Sequence, residues 1–343
     1  MNRHRQALTL IELVATVSAF ALVAALLAPA LADVSRRGKD TVCLQNLARI
    51  AEASIVYAAE DPDGQAVPVH PKMDDATMPE GLRRATPVYA WGGKSGCGTE
   101  GYDSLFWGTG RDKGPVTRPL NKILYGDVFP DYRMNPGPGF SNWKSDEQLD
   151  LSIYRCPSDN GYTGIHYDAW EASGLTSFDH YGTSYATSVL WIYTSCGYYC
   201  ASNSVFFHRL CDIVNPSNTV YYQENCGRYT FQANPQPPDC GGGQEGVVHG
   251  WHGQPWLFNT AFVDGHAART RMRGYRNPDL GHYPGGEYYF WRCVIIRGDD
   301  WQMDTLPLEP LATTIPCGGD RDDSPPQQGG CAPGARRCVP DVR

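Results

Sequence analysis

The feature that most constrains this chain is an apolar run near its amino terminus. From Leu13 to Ala32 there are 20 residues without a formal charge. As an α-helix with about 1.5 Å of rise per residue, this run would cross a hydrocarbon core of roughly 30 Å. Glu12 stands immediately before it, where a carboxylate costs about 2.5–3.5 kcal/mol unless it meets a partner. The run predicts a membrane anchor, and Glu12 predicts a contact that a simple anchor does not need.

An apolar segment of this kind also occurs in simpler proteins. A secretory signal peptide ends in a small-residue cleavage site, and Ala30-Leu31-Ala32 fits that rule. An uncleaved signal anchor needs no cleavage site at all. The apolar run by itself therefore leaves three structures open: a signal peptide, a plain anchor, and an anchor with a specialised amino terminus.

The residues around Glu12 bear on this choice. A basic leader is followed by the small residue Ala7, by the sequence LTLIE and by the apolar run. This pattern resembles the class III signal of type IV pilins and type II secretion pseudopilins. The resemblance implies that a prepilin peptidase cuts between Ala7 and Leu8 and methylates the new amine. Glu12 would then neutralise the amine of a neighbouring subunit in a filament.

The match to the family pattern is partial in this region. Ala7 and Leu8 depart from it, because Gly before the cut and Phe after it are usual in the family. Pro29 agrees with it, since pilin helices often have a proline kink at this place. The resemblance also implies an orientation, with the leader in the cytoplasm and the bulk of the chain outside.

Composition places the remainder of the chain among folded proteins. The net charge of −8 does not indicate a basic surface that would bind nucleic acid. The charged fraction of 19% is too low for a disordered chain. The 37 Gly and 26 Pro predict many loops, while 20 Tyr and 9 Trp favour sheet surfaces over helical bundles. We expect an α+β fold, in which a long amino-terminal helix packs on a loop-rich, mainly antiparallel β-sheet head.

The predicted organisation has five parts. They are a leader (1–7), the transmembrane half of the helix (8–32), its amphipathic half (33–60), the loop-rich β head (61–316) and a Cys/Pro/Gly-rich tail (317–343). Within the amphipathic half, apolar residues recur at three- and four-residue steps, which predicts a face that packs on the head. These residues are Leu44, Leu47, Ala51, Ile55 and Ala58. Residues 65–150 have little periodicity and are predicted to be loops.

The cysteines predict disulfide bonds. There are 12 of them, which is many for a reduced compartment, and an anchor offers a route out of the cytoplasm. No Cys-x2-Cys pair gives the usual zinc-ribbon spacing. Free thiols and metal ligands remain the alternatives. Cys43 on the helix and Cys156 in the head are the first pair that we expect to be bonded.

Three short signatures narrow the resemblance. They resemble motifs of the large pseudopilin-like proteins of planctomycete-type bacteria. The first signature lies on the helix and contains Cys43 and Asn46. The second follows a short predicted strand and contains Cys156, Pro157 and Asp159. The third contains His252, Asp264 and Gly265. The family spacer between the histidine and Asp-Gly is nine residues, whereas 11 residues separate His252 from Asp264.

The third signature also predicts a β-hairpin. Apolar residues alternate up to Val263, Asp264-Gly265 would form a two-residue type I′ turn, and residues 266–271 would return as a strand. Other strand-like runs cover 185–193, 204–210, 219–223 and 288–296.

The same region holds candidate metal ligands. Imidazole and carboxylate are competent ligands for divalent metals, and four such side chains cluster in the sequence: His249, His252, Asp264 and His266. A solvated hairpin tip is the alternative. No cofactor is predicted.

The expected function is structural. No Gly-x-Ser-x-Gly elbow and no His-Glu-x2-His helix occurs, so no catalytic residue is assigned and an enzyme is not expected. The resemblance implies a single-pass inner-membrane protein whose partners are other pilin or pseudopilin subunits and the prepilin peptidase, with no nucleic acid. The alternatives are an anchored extracytoplasmic enzyme and a metal- or glycan-binding module on the same kind of anchor.

Overall fold

A long helix lies against a four-stranded sheet. The computed structural model describes residues 9–68, 87–96, 114–126, 129, 145–161, 174–187, 205, 208–227, 249–272 and 301–302. The predicted α+β class is confirmed in this part of the chain. Ala7, Leu8, the predicted strand 288–296 and the tail 317–343 lie outside the described residues.

Helix α1 (Leu10–Glu60) is 51 residues long. Its first turn is closed by a capping box: the Thr9 hydroxyl accepts from the Glu12 amide, and the Glu12 carboxylate accepts from the Thr9 amide at 2.9 Å. Pro29 lies inside the helix, which continues through it. The first half is exposed, and α1 is long and apolar enough to cross a membrane.

The second half of α1 packs against the head. Its buried residues are Cys43, Asn46, Leu47, Ile50, Ala51, Ala53, Ser54 and Ala58. Of the predicted apolar face, Leu44 and Ile55 are only partly buried. The buried face includes two polar side chains, Asn46 and Ser54, which find partners in the head. The Ser54 hydroxyl, for example, lies 2.6 Å from the Tyr222 hydroxyl.

The sheet is an antiparallel meander. Its strands pair in the order β1 (Tyr185–Thr187), β2 (Val220–Glu224), β3 (Leu257–Phe262) and β4 (Ala267–Arg271). Helix α1 contacts β2, β3 and β4. The runs predicted at 185–193 and 219–223 contain β1 and most of β2. The prediction of a strand at 204–210 is wrong for the residues described there, because Leu210 begins a 3₁₀ turn.

The β3–β4 hairpin turns through three residues rather than two. The Gly265 amide donates to the Phe262 carbonyl at 3.0 Å, and the Phe262 amide donates to the His266 carbonyl at 2.9 Å. Gly265 has a φ of 95°, whereas Asp264 does not have a positive φ. The predicted type I′ turn is therefore wrong. The loop has the hydrogen bonding of the common hairpin in which a type I turn is closed by a glycine with positive φ.

Short helices connect the longer elements. They are α2 (Pro87–Ala90), α3 (Pro119–Tyr125) and α4 (Ser177–Tyr181). Because α3 packs on α1, the prediction that residues 65–150 are loops is wrong for this segment. Helix α3 begins at a proline, whose φ is fixed near the helical value, and ends at Gly126, whose φ is 67°. The strand predicted before Cys156 is instead a 3₁₀ turn, Ser152–Tyr154.

Candidate metal centre

Four buried side chains converge where α1 meets the sheet. They are Cys43 of α1, Cys156 of the turn after residues 152–154, Glu224 at the end of β2 and His252 of the turn before β3. Their exposed fractions are 0%, 1%, 0% and 4% respectively. The ligand atoms all lie within 4.8 Å of one another. We call these four residues the Cys-Glu-His cluster.

Asn46 holds the Cys156 segment against α1. It lies one turn after Cys43, on the same buried face of the helix. Its side-chain amide donates to the carbonyls of Ser152 and Arg155, at 3.2 and 3.1 Å. Because these carbonyls precede Cys156, the two hydrogen bonds fix the backbone that carries this thiol. Asn46 of the first signature is therefore a structural clamp.

Asp159 of the second signature organises the other side of that turn. Its carboxylate accepts from the Ser184 hydroxyl at 2.6 Å and from the amides of Ser177 and Phe178 at 3.0 and 2.9 Å. Ser184 in turn accepts from the Cys156 amide at 3.0 Å. Burial raises the pKa of Asp159, and these hydrogen bonds oppose the increase. Asp159 thus positions Cys156 through Ser184.

His252 lies in a tight turn before β3. The Gly253 amide donates to the Gly250 carbonyl at 2.9 Å, which closes this turn. The neighbouring Trp251 indole donates to the Gly161 carbonyl at 3.0 Å and ties the turn to the Cys156 region. The turn therefore brings the His252 imidazole to the end of the sheet at which β2 ends with Glu224.

Distances within the cluster are those of direct polar contact. His252 Nε2 lies 2.8 Å from Glu224 Oε1 and 3.5 Å from Cys156 Sγ. The Cys43 thiol donates to the same Glu224 oxygen at 3.1 Å, and Cys156 Sγ is 3.9 Å from it. Burial raises the pKa of both thiols. Burial opposes protonation of His252, but its contacts with Cys43 and Glu224 raise the pKa of the imidazole to about 10.

A second layer of polar groups contacts the four side chains. The Tyr185 hydroxyl donates to Cys43 Sγ at 3.4 Å, and the Ser158 amide donates to Cys156 Sγ at 3.4 Å. The Asn259 amide donates to the second oxygen of Glu224 at 3.2 Å. Asp40, one turn before Cys43, places a carboxylate oxygen 3.7 Å from His252 Nδ1. Each member of the cluster is thus oriented by a further group.

The arrangement is not that of a Cys-His-acid triad. In a triad the imidazole contacts the nucleophile through one nitrogen and the carboxylate through the other, so that a proton can pass between them. Here Cys156 and Glu224 both approach Nε2 of His252. The Asp40 carboxylate lies beside the other nitrogen, Nδ1, but at 3.7 Å it makes no hydrogen bond with it. The four atoms point toward one another, which is the geometry of ligands around an ion.

The predicted disulfide between Cys43 and Cys156 is not formed. Both residues are free thiols, as are Cys211 and Cys226 among the residues that the structure describes. The prediction that Cys43 and Cys156 lie close together is correct, but the predicted bond between them is wrong. The sequence does not reveal the carboxylate and the imidazole that lie beside them. The remaining eight cysteines lie outside the described residues.

The predicted histidine and aspartate set is divided. His266 Nδ1 lies 2.5 Å from Asp264 Oδ1 at the exposed hairpin tip. His249, His252, Asp264 and His266 do not come together as three or more ligands in the described part of the chain. Only His252 of this set belongs to the buried cluster.

Sequence reasoning missed Glu224 and Asp40. Glu224 ends the apolar strand sequence VYYQE, where an acidic residue is unusual and is fully buried. An acidic residue at the end of such a strand was the signal by which Glu224 could have been found in the sequence. Pro157 of the second signature is exposed in the turn and contacts none of the cluster by hydrogen bond. Comparison of the chain with protein-family models, with curated proteins and with solved structures finds no match.

Proposed function

We propose that this protein is a pilin-like structural subunit, or a minor component, of a type II secretion pseudopilus or a type IV pilus. It would be held in the inner membrane by the first half of α1, with its head outside the cytoplasm, and be processed by a prepilin peptidase. The observation that carries the proposal is the two-part helix. One continuous helix has an exposed apolar half, which begins at Leu10 and includes Glu12, and a second half that is built into the head.

The exposed half of α1 needs an apolar environment. Leu10, Ile11 and Phe20 are exposed over 79%, 78% and 77% of their surface. Lipid covers such a surface in a monomer, and the same half of neighbouring helices would cover it in a filament. This supports a helix that changes its surroundings from membrane to bundle.

Glu12 would fix the axial position of one subunit relative to the next in the helical bundle. Its carboxylate accepts only from the amide and hydroxyl of Thr9, both at 2.9 Å, among the contacts described for it. Cleavage after Ala7 would place a charged amine at Leu8, and an amine of this kind on a neighbouring subunit is a full countercharge for Glu12. In a dry bundle the paired carboxylate is tolerated, whereas an unpaired one is strongly destabilising.

The test separates insertion from assembly. Glu12→Ala removes a polar group from the membrane segment, so the variant should reach the inner membrane at normal abundance and be cut to an N-methylated Leu8. It should fail to cross-link with neighbouring subunits. Glu52→Ala, an exposed acidic residue of the same helix outside the apolar half, is the matched control and should cross-link like the wild type. Normal cross-linking of Glu12→Ala, or a mature protein that begins at Met1 or Asp33, rejects the proposal.

A further inference from the structure

We propose that the Cys-Glu-His cluster binds one Zn²⁺ ion, which fastens the second half of α1 to the head. The ligands would be Cys43 Sγ, Cys156 Sγ, Glu224 Oε1 and His252 Nε2. The site is structural and goes beyond the filament role. It does not depend on that role, because none of its ligands lies in the exposed half of α1.

The donor set favours zinc over the divalent cations that bind oxygen ligands. Two sulfurs, one imidazole nitrogen and one carboxylate oxygen are all donors that Zn²⁺ takes in four-coordinate sites. Mg²⁺ and Ca²⁺ prefer oxygen ligands alone, and this cluster offers one oxygen-donating residue. These four side chains therefore suit Zn²⁺ better than Mg²⁺ or Ca²⁺.

The distances are within about 0.5 Å of those in a tetrahedron around zinc. With bonds of about 2.3 Å to sulfur and about 2.0–2.2 Å to nitrogen and oxygen, the edges of such a tetrahedron are about 3.3–3.8 Å. Four of the six edges are 3.1 Å for Cys43 to Glu224, 3.9 Å for Cys156 to Glu224, 3.5 Å for Cys156 to His252 and 2.8 Å for His252 to Glu224. The two short edges, from Glu224 to Cys43 and to His252, must each open by about 0.5 Å when the ion replaces the hydrogen bonds between these side chains.

The surrounding groups match those of a zinc site. Zinc-bound histidine usually has its second nitrogen directed at a carboxylate or carbonyl. His252 Nδ1, which is buried without a hydrogen bond, faces the Asp40 carboxylate at 3.7 Å. The hydroxyl and amide donors on the two sulfurs would stabilise thiolates. A Cys43–Cys156 disulfide would need neither these donors nor the buried carboxylate and imidazole.

Burial makes the site structural rather than catalytic. Catalytic zinc keeps one position open for water or substrate, whereas structural zinc has four protein ligands. Here all four ligands come from the chain and none is more than 4% exposed. Zinc binds cysteine as thiolate and histidine as neutral imidazole, so the protons that these groups carry are displaced and leave to solvent. The ion would join four segments that are distant in sequence.

The first experiment measures zinc in the wild-type full-length chain purified in detergent. Elemental analysis should find about one zinc per chain, and X-ray absorption at the zinc edge should show two sulfur neighbours at about 2.3 Å. Alkylation followed by mass spectrometry should find Cys43 and Cys156 protected until zinc is removed by a chelator. The exposed Cys211 should react in both states.

A matched pair of variants locates the ion. Cys156→Ser should lose bound zinc, whereas Cys211→Ser should keep the wild-type amount. If Cys156→Ser fails to fold, the absorption and alkylation results on the wild type still decide. The proposal is overturned by a wild-type protein that neither contains nor takes up Zn²⁺, by a zinc shell without sulfur, by a Cys43–Cys156 disulfide in the purified chain, or by full zinc retention in Cys156→Ser. None of these results bears on Glu12 cross-linking, so the filament proposal is tested separately.

Discussion

Asn46→Ala tests whether α1 is clamped to the turn that carries Cys156. The Asn46 side chain is 6% exposed and gives hydrogen bonds to two backbone carbonyls, those of Ser152 and Arg155. Each hydrogen bond contributes about 1 kcal/mol net. The Ser152 carbonyl would keep the Arg155 backbone amide as a donor at 3.1 Å, so no large desolvation penalty is added for it. We therefore expect a loss of about 2 kcal/mol in the free energy of unfolding of the head.

The assay is urea unfolding of the full-length chain in detergent, followed by tryptophan fluorescence. Trp91 is a buried reporter in the same core, with its ring centroid 5.8 Å from that of Tyr154. With a urea dependence of about 2 kcal/mol per molar, the midpoint should fall by roughly 1 M. Gln45→Ala is the matched control, since Gln45 is the exposed neighbour on α1, and should shift stability by less than about 0.5 kcal/mol.

A second substitution separates hydrogen bonding from packing. Asn46→Asp preserves the size of the side chain but directs a carboxylate oxygen at the two carbonyls. It should destabilise the head at least as much as Asn46→Ala does. An Asn46→Ala protein as stable as Gln45→Ala, or an Asn46→Asp protein as stable as the wild type, would refute the clamp.

Two further predictions concern the packing around Lys94. Gly182 has a φ of 85°, and a Cβ there would overlap the Lys94 carbonyl oxygen, so Gly182→Ala should lower the free energy of unfolding by about 3 kcal/mol. Gly174→Ala, with a φ of 65° and open space, should cost only about 1 kcal/mol in the same urea assay; equal losses would contradict the steric argument. Asp179 accepts from the buried Lys94 ammonium at 2.7 Å. Burial raises the pKa of Asp179, but Lys94 and Thr176 outweigh it, so the pKa is lowered overall. The stabilisation is therefore complete above the unfolded pKa of about 3.9 and is lost as pH falls through the folded value. The stability difference between wild type and Asp179→Asn, measured by urea unfolding at several pH values, should be constant above about pH 5 and shrink below about pH 4; a difference that grows on acidification would contradict it.

Some of the fold follows from sequence because it depends on neighbours along the chain. The apolar run after Glu12 specifies a helix long enough for a membrane through composition and length alone. The alternation up to Val263, followed by Asp264-Gly265, specifies a hairpin, because period and turn residues are local signals. The type of turn was wrongly predicted, since its hydrogen bonds depend on the register of β3 against β4, which the two turn residues do not fix.

The buried face of α1 shows where local patterns stop being sufficient. Leu47, Ala51 and Ala58 are buried as their spacing predicts, but the face also includes two polar residues that apolar periodicity cannot select. Asn46 and Ser54 are buried because carbonyls and a tyrosine hydroxyl of the head satisfy them. Their partners lie far along the chain, at sequence separations of 106 and 168.

The Cys-Glu-His cluster was decided by tertiary structure alone. The sequence indicated three of its members separately, two cysteines and a histidine in three signatures, and paired the cysteines in a disulfide. Glu224 carried no periodic signal, because all five residues of β2 are buried and the strand has no alternation. The four ligand atoms meet only when α1 docks on the sheet and the turns at Cys156 and His252 close against it, since side chains on separate segments have no fixed distance until those segments pack.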